Sequence, residues 1–190
     1  SQSVGAITYV ATVRHEGYED VLMRVDEMRL KGTTGINFRA KGGSMCFQGN
    51  IVVGKDKHAI EYRSERLLSI RNSRLIKTDG NGGLSNACFL IETYDTSITE
   101  SKFKIDNSII VTDKTSVPGG GVIHIDVLGN LGGNDVYVYL SDVEVISGDS
   151  LLESLYAGSP KGVYMRNVVS NVDKNVSVTD LALNTGFTHD

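Results

Sequence analysis

No tryptophan occurs among the 190 residues, and proline and cysteine occur only twice each. So little proline beside 21 glycines excludes a proline-rich disordered chain and fits one built on many tight turns. The two cysteines sit in the apolar runs Met45-Cys46-Phe47 and Ala87-Cys88-Phe89, where thiols read as buried small hydrophobes rather than as a disulfide framework. No segment approaches the roughly 18 consecutive apolar residues of a membrane-crossing helix, so membrane insertion is not expected. Basic residues are not in excess either. Nineteen Lys and Arg face 23 Asp and Glu, a net charge of −4, without the clustered cations that displace counterions from phosphates, which argues against nucleic acid as a partner. The four histidines are too scattered for a zinc site, and the acids lack calcium-loop spacing. Glycine-rich phosphate and dinucleotide cradles and serine nucleophile elbows are absent, so no metal and no cofactor is expected. The opening Ser1-Gln2-Ser3, with neither Met nor a basic-then-apolar leader, reads as a piece of something longer.

What the chain does contain is an internal repeat. Four times an apolar residue is followed by a polar spacer, then Asn, Asp or Glu, then another apolar residue three further on. These segments are Ile70-Arg71-Asn72-Ser73-Arg74-Leu75, Ile98-Thr99-Glu100-Ser101-Lys102-Phe103, Leu140-Ser141-Asp142-Val143-Glu144-Val145 and Val178-Thr179-Asp180-Leu181-Ala182-Leu183. Each is preceded by an alternating strand beginning at Ile60, Phe89, Ile123 or Val163, as a strand with one buried face requires. A unit this short cannot bury its own apolar face, so it must stack on its neighbours. Ile70, Ile98, Leu140 and Val178 are then expected to share one interior column. Asn72, Glu100, Asp142 and Asp180 fall at a corner, where side-chain oxygens satisfy turn amides.

The predicted fold is all-β: a short right-handed parallel β-helix (solenoid). Residues 1–35 are read as an N-terminal strand and capping element, and 36–190 as the β-helix rungs. Tyr18, Val21, Leu22, Val25 and Met28 fall at helical spacing, predicting an amphipathic capping helix from about 18 to 30, although Val21, Met23 and Val25 also fit a strand. Ile36 to Arg39, Met45 to Phe47 and Ile51 to Val53 form an irregular first rung. The stretch from Ser147 to Gly158 reads as a side loop in which Leu151, Leu152 and Leu155 make a short helix. Five rungs at about 4.8 Å give a stack of only ~24 Å, pointing to a segment of a longer fibre or a subunit of an oligomer.

Aligning the four first strands produces two outward columns. One reads Glu61, Leu90, His124, Tyr164 and the other Arg63, Glu92, Asp126, Arg166. Glu92 and Asp126 become neighbours with His124 close by. Paired carboxylates roughly 5 Å apart serve a retaining glycosidase as nucleophile and acid, and a histidine can tune the acid, so these three are the catalytic candidates. Against this, Arg63 and Arg166 flank the acids and would make the column an ordinary surface ion ladder. Without tryptophan, sugar contact falls to tyrosine. Tyr137 and Tyr139 share one strand face opposite Val136, Val138 and Leu140, so the tyrosines point either outward or into a subunit interface. With Tyr164 and Arg166 they are the candidate binding residues.

The stacked pattern in Ser69-Ile70-Arg71-Asn72-Ser73 and Val163-Tyr164-Met165-Arg166-Asn167-Val168, with glycine-rich corners, resembles right-handed parallel β-helices of the pectin-lyase-like type. The variant it looks most like is the bacteriophage tailspike or tail-fibre β-helix, over roughly residues 36 to 187. The resemblance implies a homotrimer in a virion tail or another extracellular setting that binds bacterial surface polysaccharide. Nothing matches the calcium-binding aspartates or catalytic arginine of pectate lyases. Three functions follow as expectations: a structural, receptor-binding fibre segment; a polysaccharide-depolymerising hydrolase or lyase using Glu92 and Asp126; and a purely structural virion subunit.

Overall fold

The computed structural model describes residues 5–11, 22–40, 42–55, 57–64, 66–78, 88–93, 100–112, 120–127, 135–148, 152–158, 161–172 and 185–189. Within them the fold is all-β, without a helix. The strands are β1 Gly5–Ala11, β2 Leu22–Asp26, β3 Arg29–Gly32, β4 Thr34–Ala40, β5 Ser44–Gln48, β6 Ile51–Gly54, β7 Ile60–Ser64, β8 Leu67–Arg71, β9 Arg74–Lys77, β10 Phe89–Thr93, β11 Glu100–Thr112, β12 Gly120–Val127, β13 Asp135–Ser147, β14 Leu152–Gly158, β15 Gly162–Ser170 and β16 Thr185–His189. One sheet runs β1-β4-β7-β10-β12-β14. The other runs β16-β15-β13-β11-β8-β5-β2, with β3, β6 and β9 continuing its ladders beyond a bend. The strand pairs are parallel, and the chain visits the ladders cyclically: β4, β5, β6, then β7, β8, β9, each beside its counterpart.

The core is a set of columns. Val25, Phe47, Ile70, Ile105, Leu140 and Met165 are in register across six strands and all buried. Beside them lie Met45, Leu68, Phe103, Val138 and Val163, and past the bend Leu30, Val52, Leu75, Ile110 and Val145. Ile36, Ile60, Phe89 and Ile123 close the core from the other sheet.

The bend has a specific backbone cause. Glu27, Gly49, Asn72, Asn107, Asp142 and Asn167 all have φ between 44° and 68°, the left-handed region that Gly, Asn and Asp tolerate best. One such residue reverses the in-out alternation. In β11 the odd-numbered Ser101, Phe103 and Ile105 point inward before Asn107, and the even-numbered Ser108, Ile110 and Thr112 do so after it. Inside the bend, serine hydroxyls accept from the neighbouring strand's amides: Asn50 N–H to Ser73 Oγ at 3.2 Å and Ser73 N–H to Ser108 Oγ at 3.1 Å.

Several expectations require correction. The repeat is read in register at Ile70 and Leu140, but the column positions between and after them belong to Ile105 and Met165; Ile98 and Val178 lie outside the described residues. Glu100 is the first residue of β11 rather than a corner, whose positions are taken by Asn107 and Asn167; Asp180 is also outside the described residues. The strand from Val163 joins the second sheet, beside β13. Its expected place beside β12 is filled by β14, from the stretch read as a side loop. Finally, residues 22–30 of the expected capping helix are β2 and β3 with Glu27 at the bend; residues 18–21 are outside the described part. The strand alternation of Met23 and Val25 prevails, because pairing with β5 buries Val25. β1, β2 and β3 thus pair in the same parallel ladders as the strands after residue 35.

Candidate functional site

Outside the second sheet, alternation places every second residue of β11, β13 and β15 on one exposed face. Lys102, Tyr137 and Gly162 form one row, and Lys104, Tyr139 and Tyr164 the next. Ser141 and Arg166 lie one pleat further along, and Asp142 and Asn167 follow at the bend. Tyr137, Tyr139, Tyr164 and Arg166, chosen from sequence, are therefore brought together.

The rings of Tyr139 and Tyr164 stack at 4.7 Å between centroids with planes 7° apart, and Tyr137 tilts 37° from Tyr164 at 6.4 Å. The Lys104 ammonium lies 5.4 Å from the Tyr139 centroid, a cation–π contact that extends the stack by one strand. Tyr137 has room because its partner in register is Gly162: a Cβ there would stand 3.2 Å from both the Tyr137 and Tyr164 rings. Stacking occupies ring faces of Tyr139 and Tyr164, leaving hydroxyls, ring edges and the tilted Tyr137 ring to meet a ligand.

Ion pairs frame the tyrosines. Lys102 contacts Glu100 at 2.6 Å, and Lys161 contacts Asp135 at 3.6 Å. Arg166 donates to Ser141 Oγ at 2.6 and 3.0 Å and to Asp142 at 3.1 Å. Burial and the neighbouring Tyr164 push the Tyr139 phenol above its ordinary value. The Glu100 hydrogen bond raises Lys102. Hydrogen bonds from Asn167 and Ser141, then Arg166, hold the Asp142 carboxyl below the usual carboxylate range. The face thus combines tyrosine hydroxyls with lysines, an arginine and the acids that pair with them.

The acid pair lies on the other sheet. Glu92 is in register with Asp126 and with Arg63, and Leu90 with His124. The side chains of Glu92, His124 and Asp126 lie outside the described part. Arg166 does not flank this column, since β15 is in the second sheet and β14 is the other neighbour of β12. Half of the expected ion ladder is thereby removed. Arg63 reaches Glu61 at 2.8 Å, and Glu61 is buried and accepts from Asn37 Nδ2 at 3.4 Å. Buried and partnered, Glu61 is a structural acid.

Sequence reasoning missed the lysines of the tyrosine face, although Lys102 and Lys104 alternate with the buried Ser101, Phe103 and Ile105. It also missed a groove of about 700 Å³ along the bend, lined in part by Asn72, Asn107 and Asp142. Cys46 and Cys88 are free thiols. No protein-family model, curated protein or solved structure matches this chain.

Proposed function

We propose that the chain is a short right-handed parallel β-helix, a structural and receptor-binding segment of a bacteriophage tailspike or tail fibre, and that it contacts bacterial surface polysaccharide. The observation carrying this reading is the stacked Lys104–Tyr139–Tyr164 row with Tyr137 beside it, presented outward on a regular parallel ladder. Tyrosines are amphipathic anchors with few rotatable bonds, suited to binding at low entropic cost. The cyclic order of strand visits supports the β-helix, and the right-handed preference of parallel crossovers supports its hand.

Homotrimeric assembly is part of the proposal. On the outside of the ladder past the bend, Val53, Ile76, Val111 and Ile146 are in register. Ile146 is 42% exposed. Such an apolar stripe on a parallel sheet face fits contact with further copies. Sedimentation showing a monomer at micromolar concentration would count against it. The virion tail or another extracellular setting follows from the same reading.

A second reading, a polysaccharide-depolymerising enzyme, has one observation in its favour. Glu92 and Asp126 stand in register with an arginine strand on one side only, and adjacent parallel strands about 4.8 Å apart bring such a pair near the separation of a retaining glycosidase. One experiment separates the readings. The protein is passed over immobilised capsule and lipopolysaccharide preparations, with retention and newly formed reducing ends both measured. Retention without new ends supports adhesion, new ends support the enzyme, and neither leaves only a structural virion subunit.

A further inference from the structure

Tyr139 and Tyr164 bring two phenol rings into contact across adjacent strands. They are in register on β13 and β15, with ring centroids 4.7 Å apart and planes 7° from parallel. Lys104 comes from β11, on the other side of β13, and lies 5.4 Å from the Tyr139 centroid. Tyr139 is thus held between an ammonium group and a ring, which fixes it in the stack. Tyr137 stands apart, 6.4 Å from Tyr164 and tilted by 37°. Tyr62, by contrast, is buried and stacks on Phe38, whereas Tyr139 and Tyr164 are half-buried on an outward face.

Stacked phenols are placed for oxidative coupling. One-electron oxidation of a tyrosine takes an electron from the ring and the proton from the hydroxyl, leaving a phenoxyl radical with spin density on the carbons ortho to oxygen. Two such radicals in contact join through these carbons, and the ortho hydrogens then move to the oxygens to restore two phenols. Rings already held together make this step intramolecular, without the entropy cost of an encounter. Nearly parallel planes also let the singly occupied π orbitals overlap. The product requires one ring to turn out of the stack. Room for that lies at Gly162, where an added Cβ would stand 3.2 Å from Cε2 of Tyr164, one of its two ortho carbons; without a side chain there, that flank of the ring is open.

We infer that Tyr139 and Tyr164 form an oxidative modification site, at which hydrogen peroxide, used by a haem peroxidase as one-electron oxidant, joins the two rings as an intrachain dityrosine. Two phenols and one peroxide give one dityrosine and two waters. The rings give up two electrons and two protons, and the peroxide takes up both. The new carbon–carbon bond ties β13 to β15 and closes a covalent loop that persists in the unfolded chain, restricting it as a disulfide does. The site stands whatever the tyrosine face binds, since the coupling requires only the two rings.

The full chain is treated with hydrogen peroxide and a haem peroxidase, beside Tyr137→Phe, Tyr139→Phe and Tyr164→Phe. Phenylalanine keeps the ring and its stacking and lacks only the hydroxyl, so the variants retain the fold, as far-ultraviolet circular dichroism verifies. Free tyrosine coupled in a parallel reaction shows that the oxidant is active. The expected result is dityrosine fluorescence, a single-chain species on a denaturing gel that has lost two hydrogens by mass, and a cross-linked peptide pair carrying Tyr139 and Tyr164. Tyr139→Phe and Tyr164→Phe should each lose that peptide pair, and Tyr137→Phe should keep it. Absence of intrachain dityrosine in the unchanged protein overturns the inference. So does a cross-link that maps through Tyr137 or another tyrosine, or one confined to covalent dimers. Glycan retention by the untreated protein reads the binding proposal separately, so either can fail alone.

Discussion

The reversal of alternation at Asn107 can be tested through three isoleucines of one strand. A straight β11 would place Ile105 and Ile109 on one face and Ile110 on the other. With the left-handed bend between them, Ile105 and Ile110 are fully buried and Ile109 is half-buried on the outside. Truncating Ile to Ala removes three carbons, about 2.4 kcal/mol at ~0.8 kcal/mol per buried carbon. The cavity left in a packed core brings the cost to about 2–5 kcal/mol. Ile105→Ala and Ile110→Ala should each lose that much, and Ile109→Ala about 1 kcal/mol. Urea unfolding at one fixed protein concentration measures all three, since concentration matters wherever copies associate. An Ile109→Ala variant as destabilised as Ile105→Ala, or an Ile110→Ala variant near the unchanged protein, would refute the bend.

Gly54→Ala should unfold the chain or cost several kcal/mol, because a Cβ would stand 2.1 Å from the His58 carbonyl oxygen, and backbone cannot retreat as a flexible side chain can; soluble yield and the urea midpoint read it. Burial pushes the Cys88 thiol up to about 12 from an ordinary value near 9. Its folded-state pKa is raised, so its contribution to stability is whole below pH 9 and is lost as pH rises toward 12; in the native state near pH 8 a thiol reagent should label half-buried Cys46 and spare Cys88. Glu92→Gln and Asp126→Asn should each change stability by less than about 1 kcal/mol if the acids form a surface pair, with no effect on reducing-end release. Abolished release with retained binding would transfer the function to the enzymatic reading.

The chain's legibility followed its side-chain periods. Strands around Ile36, Met45, Ile51 and Ile60 were placed by alternation, and the registers of Ile60, Phe89 and Ile123 came from aligning apolar positions. The Tyr137/Tyr139 face was readable because Val136, Val138 and Leu140 form an unbroken apolar set between them. The bend was only half readable. Asn72 and Asp142 sit in the expected motif, whereas Asn107 is hidden inside an unbroken 13-residue strand, and Ile98-Thr99-Glu100 imitates the motif just upstream. The sheet carrying Val163 was misread because alternation fixes which residues point inward but not which ladder a strand joins. That choice is made by pairing, and β14 competes for the same edge. The groove along the bend depends on φ at successive corners, which side-chain alternation alone does not reveal.

The proposal that the outward tyrosines hold a glycan has a direct test. A Tyr139→Ala/Tyr164→Ala double variant addresses it directly, compared with the unchanged protein for affinity toward whichever surface polysaccharide the latter retains. Anchoring aromatics cost about 2 kcal/mol or more when truncated, roughly thirtyfold in affinity. A loss of that size is expected, with sedimentation and far-ultraviolet circular dichroism unchanged. Full affinity in the double variant would contradict it.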